Sequence, residues 1–349
     1  MSRKKLLVAM SGGVDSSVAV RLLLEAGFDV AGVTFRIDDS DGSASAASDA
    51  AAAAEALGIP HTTLDIADDF RRCVKDYFIR TYADGATPNP CVVCNREIKF
   101  GLLLDYAAER GFDGIATGHY VTVRQVGGRT LLYRASVPDK DQSYVLAQVL
   151  EERLARAHFP LASYSKDEIR RLAAESHLRV ASKKDSQDIC FIPDGDYVRF
   201  LRESRVCDMT PGDFIDTDGH ILGHHTGQAC YTPGQRRGLG ISAGRRIFVI
   251  SKNARNNTVL LGDEALLMQS RITASSLNLI GSDVLPGERF DVKIRYAHRP
   301  ASARVTDLGG GRIAVEFDTP QRAPSRGQTA VLYMNDDFGV RTVGSAVIE

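Results

Sequence analysis

The chain has 349 residues, of which 44% are hydrophobic and 25% charged, and its formal net charge is -1 at pH 7. Two or three domains are expected, because a single compact core rarely grows to this length. The near-neutral charge argues against indiscriminate nucleic-acid binding and against a DNA partner, since proteins that neutralise phosphates generally are strongly basic.

The chain begins with basic residues and a short apolar run over 4–10, which reads as a strand. This run is too short for a signal peptide, and no stretch approaches the roughly 18 to 20 apolar residues that span a bilayer. The six cysteines are too few for a disulfide scaffold, and a reducing compartment would keep them as thiols. We therefore expect a cytoplasmic protein without a membrane partner, whose cysteines have reactive or metal-binding roles.

Predicted helices and strands alternate over the next hundred residues. In chain order they are a helix over 16–27, a strand over 29–35, a helix over 48–59, a strand over 61–66, a helix over 97–111 and a strand over 114–120. Residues 40–54 are rich in Ser, Gly and Ala and predict a flexible loop that runs into an Ala-rich helix. The alternation predicts an α/β fold with a doubly wound parallel sheet and helices on both faces.

Beyond about residue 205 the pattern changes to short β segments separated by turns rich in Gly, Pro and Asn. We expect a catalytic domain over 1–205, a small central domain over 206–270 and a C-terminal β-barrel over 271–349. Residues 234–262 contain six basic and no acidic side chains, a local pattern that suits contacts with RNA phosphates. The basic residues are Arg236, Arg237, Arg245, Arg246, Lys252 and Arg255.

The segment "MSGGVDSS" over 10–17 lies between the first predicted strand and the first predicted helix. Gly12 and Gly13 allow a tight turn in which amide groups converge on an anion, and the start of the helix adds its positive dipole. No lysine follows as in the G-x-x-x-x-G-K-[ST] loop, so a site that holds pyrophosphate is favoured over one that positions a transferable γ-phosphate.

This segment resembles the PP-loop of the ATP pyrophosphatase superfamily, whose members cleave ATP to AMP and pyrophosphate while adenylating a substrate oxygen. The resemblance implies that ATP, with Mg²⁺, is the cofactor. The nucleotide-binding residues that it implies are Ala9, Met10, Ser11, Gly12, Gly13, Val14, Asp15, Ser16, Phe35 and Gly118.

The sequence "NPCVVCN" over 89–95 contains a Cys-x-x-Cys pair. Structural zinc normally takes four ligands, and no second pair is present. A thioredoxin-type redox pair begins a helix, whereas this pair follows the turn-rich "DGATPNP". The remaining interpretation is an attacking thiol, activated by Arg96 and Lys99 and partnered by a distant cysteine.

The stretches "TPNPCVVCNREIKFG", "ATGHYV", "DKDQSYVL", "KKDSQDICFI" and "TPGQRRGLGI" occur in this order along the chain. Together with the PP-loop they resemble the tRNA-specific 2-thiouridylase family from about residue 4 to the C-terminus. The resemblance implies adenylation of the C2 oxygen of the wobble uridine of tRNA, followed by sulfur transfer. It makes Cys94 the nucleophile and Cys190 the persulfide carrier, with a disulfide between them after transfer. Its further implied partner is a sulfur donor, either a relay protein or a cysteine desulfurase.

Many members of that family have Asp at the position of Cys91. With Cys91, Cys94 and Cys190, three thiolates are available, and a [4Fe-4S] cluster with one open iron becomes an alternative to the persulfide. The other cysteines, Cys73, Cys207 and Cys230, are expected to be structural.

The resemblance also implies a set of tRNA contacts. Asp141 and Gln142 carry the groups needed to read the edge of a flipped-out uridine, whereas a lone His such as His119 is more often a packing residue. The implied residues are Asn89, Pro90 and Cys91 at the target base, and His119, Lys140, Asp141, Gln142, Arg295, Tyr296 and Gln328 elsewhere on the tRNA.

Two other functions fit parts of the pattern. Other PP-loop enzymes amidate or ligate small molecules after the same adenylation, although no glutaminase domain with an N-terminal Cys is evident here. A nucleotide-regulated RNA-binding protein that holds structural zinc is the alternative from a different class.

Overall fold

The computed structural model describes residues 3–176, 189–207, 209–242 and 244–349. Its strands up to residue 158 are β1 (Lys5–Ala9), β2 (Asp29–Arg36), β3 (His61–Asp65), β4 (Gly114–Ala116), β5 (Val121–Val126), β6 (Arg129–Arg134) and β7 (Ala157–His158). The helices up to residue 204 are α1 (Val14–Glu25), α2 (Asp41–Ala56), α3 (Ala67–Phe70), α4 (Asp76–Ala83), α5 (Pro90–Val93), α6 (Leu103–Glu109), α7 (Ser143–Leu146), α8 (Glu151–Leu154), α9 (Lys166–Glu175) and α10 (Tyr197–Ser204). The π-helical segments Arg71–Lys75 and Cys94–Leu102 join α3 to α4 and α5 to α6.

The first domain is built on a five-stranded sheet with the order β3-β2-β1-β4-β7, in which each pairing is parallel. This confirms the predicted α/β architecture. Leu6 and Val8 are buried against α1 and α2 on one face, and Leu7 is buried against α6 on the other, so the central strand lies between two helical layers. The strand order reverses at β1, so the carboxyl ends of β1 and β4, at Ala9 and Ala116, border the crevice where such sheets bind ligands.

Two local expectations were wrong. Helix α2 begins at Asp41, so the predicted loop at its start is helical; Ser40 caps it by accepting a hydrogen bond from the Ser43 amide at 3.3 Å. The helix expected over 97–111 begins earlier, because Asn89 and Pro90 supply a helix cap and a first-turn proline.

The second half of the chain is β-rich, as expected. The central domain contains β8 (Gly212–Ile215), β9 (Ile221–His225), β10 (Phe248–Asn253) and β11 (Thr258–Gly262), in the order β10-β11-β8-β9. The C-terminal strands are β12 (Met268–Leu279), β13 (Arg289–Lys293), β14 (Ala301–Gly309), β15 (Arg312–Arg322), β16 (Thr329–Asp336) and β17 (Gly339–Ile348). Pairing of β12 with both β15 and β17 closes these strands into a barrel.

The β5–β6 hairpin of the first domain joins the barrel sheet, because β6 pairs with β17 at Leu132 and Thr342. The first domain and the barrel therefore share one hydrogen-bonded sheet, which local patterning along the chain does not predict. No helix within the described residues is long and apolar enough to cross a bilayer.

Lys252 on β10 packs against the first domain. Its ammonium lies 5.2 Å from the centre of the Tyr82 ring and donates a long hydrogen bond of 3.4 Å to the Ala86 carbonyl. Burial lowers the pKa of Lys252 to about 8, although the nearby Cys207 and Cys230 act in the opposite direction. Lys252 is therefore an interdomain residue, and in this structure its ammonium contacts the first domain.

Replacing Lys252 with Met is expected to increase the free energy of unfolding below pH 8, by on the order of 3 kcal/mol at most. Between pH 8 and the ordinary lysine value of 10.5 the unfolded chain binds more protons than the folded chain, so wild-type stability rises with pH. The Met variant should lose this rise. Urea unfolding at pH 7 and pH 10 measures the effect, with the exposed Lys5→Met as control; an identical pH dependence in wild type and Lys252→Met would contradict it.

Candidate active site

The loop over 10–17 connects β1 to α1 at the crevice. Gly12 has a φ of 67°, and a Cβ there would lie 2.5 Å from the Ala46 carbonyl oxygen of α2. Gly13 caps α1 without a side-chain hydrogen bond, so the first amides of α1 remain directed at the crevice. The Ser16 hydroxyl bonds the Ser11 amide at 3.2 Å and stiffens the loop. This arrangement suits an anionic group such as pyrophosphate.

Gly118 borders this loop from the segment after β4. A Cβ at Gly118 would lie 3.0 Å from the Ser16 amide nitrogen and 3.1 Å from the Asp15 carbonyl carbon. Because Gly118 has no side chain, the segment after β4 can touch the loop over 10–17. Phe35, at the end of β2, is half-buried and packs beneath the neighbouring strand ends.

Two residues that the sequence did not single out converge on Asp15. The Lys166 ammonium lies 2.8 Å from Asp15 Oδ1, and the Tyr120 hydroxyl donates to the same oxygen at 2.9 Å. The loop has no lysine of its own, yet α9 places a cation beside it. A capping box between Ser165 and Glu168 fixes the start of α9 at this position.

The Cys-x-x-Cys pair lies at the start of a helix. The Asn89 side chain accepts a hydrogen bond from the Val92 amide at 3.3 Å, and Pro90 occupies the first helical turn. The sequence argument against a redox pair, which placed the cysteines in a loop, therefore does not hold. Cys91 is exposed and Cys94 is half-buried.

Cys190 is brought to the same place by its neighbour Phe191. The Phe191 ring packs edge-on against Phe70 and Phe78, at centroid distances of 5.8 and 5.5 Å. Cys94 packs on this same cluster. The segment 183–188 of the "KKDSQDICFI" motif lies outside the described residues, whereas Cys190 itself is described and exposed.

The three cysteines interact electrostatically with one another and with Lys99. Burial raises the pKa of Cys94 to about 12, while Lys99 opposes the shift. Although Cys91 and Cys190 are exposed as residues, protein atoms packed around their thiols raise both pKa values; Lys99 opposes the shift at each, and Lys75 also opposes it at Cys190. In this state the thiols are protonated at neutral pH, and Lys99 is the cation that favours their ionisation.

The π-helical segment Cys94–Leu102 explains why Lys99 reaches the thiols. Backbone hydrogen bonds in a π-helix join residues five apart, so Lys99 lies about one turn after Cys94 and on nearly the same side. Arg96, the other expected activator, instead bonds Glu97 at 2.7 Å and Gln148 at 2.8 Å. The sequence predicts that Arg96 and Lys99 activate a cysteine thiol. The π-helix is the reason why Lys99, and not Arg96, acts on the thiols.

Replacing Lys99 with Met is expected to slow alkylation of Cys94 by iodoacetamide about 3- to 10-fold at pH 8. Loss of the cation raises the thiol pKa further and lowers the thiolate fraction, which sets the alkylation rate. Peptide mass spectrometry after timed quenching measures the rate. The matched variant Lys99→Arg keeps the charge and should react near the wild-type rate; equal rates for Met and Arg would contradict the electrostatic role.

Asp141 is buried in this structure, and its expected base-reading role stays a prediction. Its carboxylate accepts hydrogen bonds from Arg134 Nε at 2.9 Å, from the Ser143 hydroxyl at 2.9 Å and from the Ser143 and Ala135 amides. The Gln142 side-chain oxygen accepts from the Tyr120 amide at 2.9 Å. In this state both side chains stabilise the segment after β6. Lys140, the residue directly before them, is half-buried.

His119 is a packing residue in this structure. It is 8% exposed, its Nδ1 lies 2.8 Å from the Thr117 hydroxyl, and its ring lies 6.1 Å from Phe100. Burial, and then Lys99, hold the pKa of His119 well below its usual value. This agrees with the packing interpretation of the lone histidine.

The barrel residues implied by resemblance differ in exposure. Tyr296 is 49% exposed, with its ring 6.0 Å from Tyr144, and the Cys91 thiol is close enough to influence its pKa. Arg295 is half-buried and bonds the Ser325 hydroxyl at 3.1 Å. Tyr296 is thus the aromatic side chain that the barrel presents beside Cys91.

The exposed cations of the central domain form a separate surface. These are Arg236, Arg237, Arg245, Arg246 and Arg255. Arg245 pairs with Asp263 at 2.5 Å, and such an exposed pair is weak enough to exchange for a phosphate. These five arginines are exposed to solvent, and Lys252 is not one of them.

The cysteine site is distinct from the group of side chains that, among the described residues, lie close enough together to hold a metal ion. The three thiols are free of disulfides in the described chain and share one cation. Among described residues, the group of His, Cys, Asp and Glu with ligand atoms within 4.8 Å of one another is Asp216, Asp218 and His220, on an exposed turn and without a cysteine. The Cys-x-x-Cys thiols are not part of that group.

A parallel-sheet domain with a pyrophosphate-type loop, a nearby cysteine site and two appended β domains defines a PP-loop enzyme of the ATP-using class. A family model of the tRNA methyl transferase HUP domain matches residues 4–194. Models of the tRNA methyl transferase PRC-barrel domain and of the aminomethyltransferase beta-barrel domain match 199–263 and 269–348. The chain belongs to the tRNA-specific 2-thiouridylase family.

The relatives support this assignment over the full length. The tRNA-specific 2-thiouridylase MnmA of Acetivibrio thermocellus is 44% identical, covering 100% of both chains. The enzymes of the same name from Clostridium perfringens and Carboxydothermus hydrogenoformans are each 42% identical, covering 100% of this chain and 99% and 98% of theirs. The expected family is thereby confirmed.

Similarity to solved structures is weak. The U34-tRNA thiolase NcsA of Methanococcus maripaludis with its [4Fe-4S] cluster is 17% identical, with a TM-score of 0.36, over 58% of this chain and 67% of that chain. The NH3-dependent NAD synthetase of Campylobacter jejuni is 18% identical, with a TM-score of 0.34, over 59% of this chain and 78% of that chain.

Proposed function

We propose that this protein is a tRNA 2-thiouridylase, which adenylates the C2 oxygen of the wobble uridine with ATP and then replaces that oxygen by sulfur. The observation that carries the proposal is the convergence of Cys91, Cys94 and Cys190 around Lys99, in a full-length member of the thiouridylase family. Methyl transfer, which two of the family-model descriptions mention, gives no role to three converging thiols.

The first step uses the loop over 10–17. Its amides, supported by Lys166 beside Asp15, would hold the phosphates of ATP, and Mg²⁺ bound with the nucleotide would neutralise further charge. The C2 oxygen of uridine attacks the α-phosphate and expels pyrophosphate. Adenylation converts a poor leaving group into AMP, which prepares C2 for attack by sulfur.

The second step uses the cysteines. Cys190 carries a persulfide; the Cys94 thiolate attacks its inner sulfur and releases the outer sulfur as hydrosulfide, which displaces AMP from C2. Cys94 and Cys190 supply the two electrons and become a disulfide, so a thiol reductant and a sulfur donor restore the enzyme after each turnover. Because burial keeps Cys94 protonated in this state, Lys99 is proposed to stabilise the thiolate when it forms.

Cys91 gives the iron–sulfur alternative its chemical basis. Cys91, Cys94 and Cys190 are the residues that would hold a [4Fe-4S] cluster, and the open iron would supply a binding site for sulfide.

The tRNA is proposed to lie across the central domain, residues 206–270, and the barrel, residues 271–349. Exposed arginines such as Arg236 and Arg237 would contact phosphates, while Tyr296 beside Cys91 offers a stacking face near the target uridine. The sulfur donor, a relay protein or a cysteine desulfurase, would approach Cys190, which is exposed.

The decisive experiment is purification without oxygen, followed by iron and sulfide analysis and nucleoside mass spectrometry of tRNA incubated with enzyme, ATP and a sulfur source. We expect 2-thiouridine with stoichiometric AMP. Full activity of iron-free Cys91→Asp would exclude an obligatory cluster, whereas unmodified tRNA together with one bound zinc would favour the RNA-binding alternative over the enzyme.

A further inference from the structure

The segment over 82–88, here called the approach segment, leads from α4 into the helix that carries Cys91 and Cys94. Its first two residues end α4, and residues 84–88 are irregular and turn-rich, with Gly85 at a φ of 77°. Such a segment would ordinarily hydrogen-bond to water and move more freely than the sheet. Here both β domains hold it instead.

Gln228 of the central domain holds its first part. This side chain is 5% exposed, and its Nε2 donates to the carbonyl oxygens of Tyr82 and Ala83 at 3.1 and 3.0 Å. Lys252 of the same domain donates to the Ala86 carbonyl at 3.4 Å. The central domain thus satisfies three carbonyls of the approach segment.

Gln328 of the barrel holds its last part. Its Nε2 donates to the carbonyl oxygens of Thr87 and Pro88 at 3.1 and 2.9 Å. Arg326 adds a backbone bond, accepting from the Thr87 amide at 2.8 Å, and its side chain donates to the Asp84 carbonyl at 3.3 Å. Gly327 lets the barrel approach closely, since a Cβ there would lie 2.9 Å from the Thr87 oxygen.

Six of the seven carbonyls of the approach segment therefore accept hydrogen bonds from the other two domains. The next residue, Asn89, caps the helix through the Val92 amide. No flexible joint separates Pro88 from this cap, so a displacement of the approach segment displaces Cys91 and Cys94.

We propose that Gln228 and Gln328 are positioning residues for sulfur transfer, through which the two β domains set the place of Cys91 and Cys94 relative to the target uridine. This assigns Gln328 to the enzyme's own backbone rather than to the tRNA. The proposal rests on the proposed thiolation.

The test uses Gln228→Glu and Gln328→Glu in the full-length enzyme at pH 8. Each change keeps the shape of the side chain but replaces the donating amide with an oxygen that repels the carbonyls. The matched controls are Gln235→Glu and Gln321→Glu, because these glutamines donate within their own domains, to Arg237 and Thr319. Three quantities are measured: Cys91 alkylation rate, tRNA affinity, and the single-turnover thiolation rate at saturating tRNA and ATP.

We expect the alkylation rate of Cys91 to change at least about threefold and thiolation to fall about 10- to 100-fold, because small misplacements of reacting groups are costly. The tRNA affinity and both controls should stay within about twofold of wild type. A loss of tRNA affinity with wild-type Cys91 reactivity would overturn the proposal and make Gln328 an RNA contact.

The alkylation measurement also separates this proposal from the proposed function. If wild type does not thiolate tRNA, the function fails while the change in Cys91 reactivity still supports the positioning role. If a glutamate variant does not fold, Gln228→Asn or Gln328→Asn replaces it, since the shorter carboxamide cannot reach the carbonyls. Unchanged Cys91 reactivity in these variants would likewise overturn the proposal.

Discussion

Cys94→Ser and Cys190→Ser are each expected to reduce 2-thiouridine formation by about 10³-fold or more, because a serine hydroxyl neither carries a persulfide nor attacks one. Both side chains belong to the group around Lys99, so removal of either breaks the transfer between them. ATP binding should be retained, since the loop over 10–17 is built by β1 and α1 without a cysteine.

Cys73→Ser is the matched control for both variants. Cys73 is half-buried and packs on the same aromatic cluster as Cys94, but it lies outside the group of thiols around Lys99. Nucleoside mass spectrometry gives the thiolation rate and calorimetry gives the ATP affinity. Thiolation by Cys94→Ser at the rate of Cys73→Ser would rule out Cys94 as the nucleophile.

The nucleotide site was predictable from sequence because its determinants are local. A glycine turn between a strand and a helix has few structural solutions, and the order of strands and helices around Gly12 and Gly13 places that turn at the crevice. The meeting of Cys94 with Cys190 was available only through family resemblance. No local sequence pattern predicts this meeting, because it depends on how Phe191 packs against Phe70 and Phe78.

Two polar residues have partners in this structure that the sequence did not indicate. Asp141 is expected to read a base, and in this structure Arg134 and Ser143 donate hydrogen bonds to its carboxylate. Lys252 looked like a phosphate contact, but it packs on Tyr82. A polar side chain in a motif indicates that a partner is required, while the tertiary structure decides whether that partner is RNA or protein.

Gly12→Ala is expected to weaken ATP binding at least about 10-fold, equivalent to about 1.4 kcal/mol. The new Cβ would lie 2.5 Å from the Ala46 carbonyl oxygen, and Ala46 belongs to the backbone of α2, which cannot yield as a flexible side chain would. The loop must therefore move, and its amides then leave the positions at which they converge on the phosphates.

Gly27→Ala is the control that separates the clash at Ala46 from the free-energy cost of placing alanine at a positive φ. Gly27 has a φ of 86° and open space around it, so the variant is destabilised by about 1 to 2 kcal/mol without a collision. Both variants should therefore lose stability in urea unfolding, but only Gly12→Ala should lose ATP affinity by calorimetry and pyrophosphate release with tRNA. If the two variants bind ATP equally, the loop over 10–17 is not the phosphate site, because the collision at Ala46 displaces that loop and leaves the rest of the sheet edge in place.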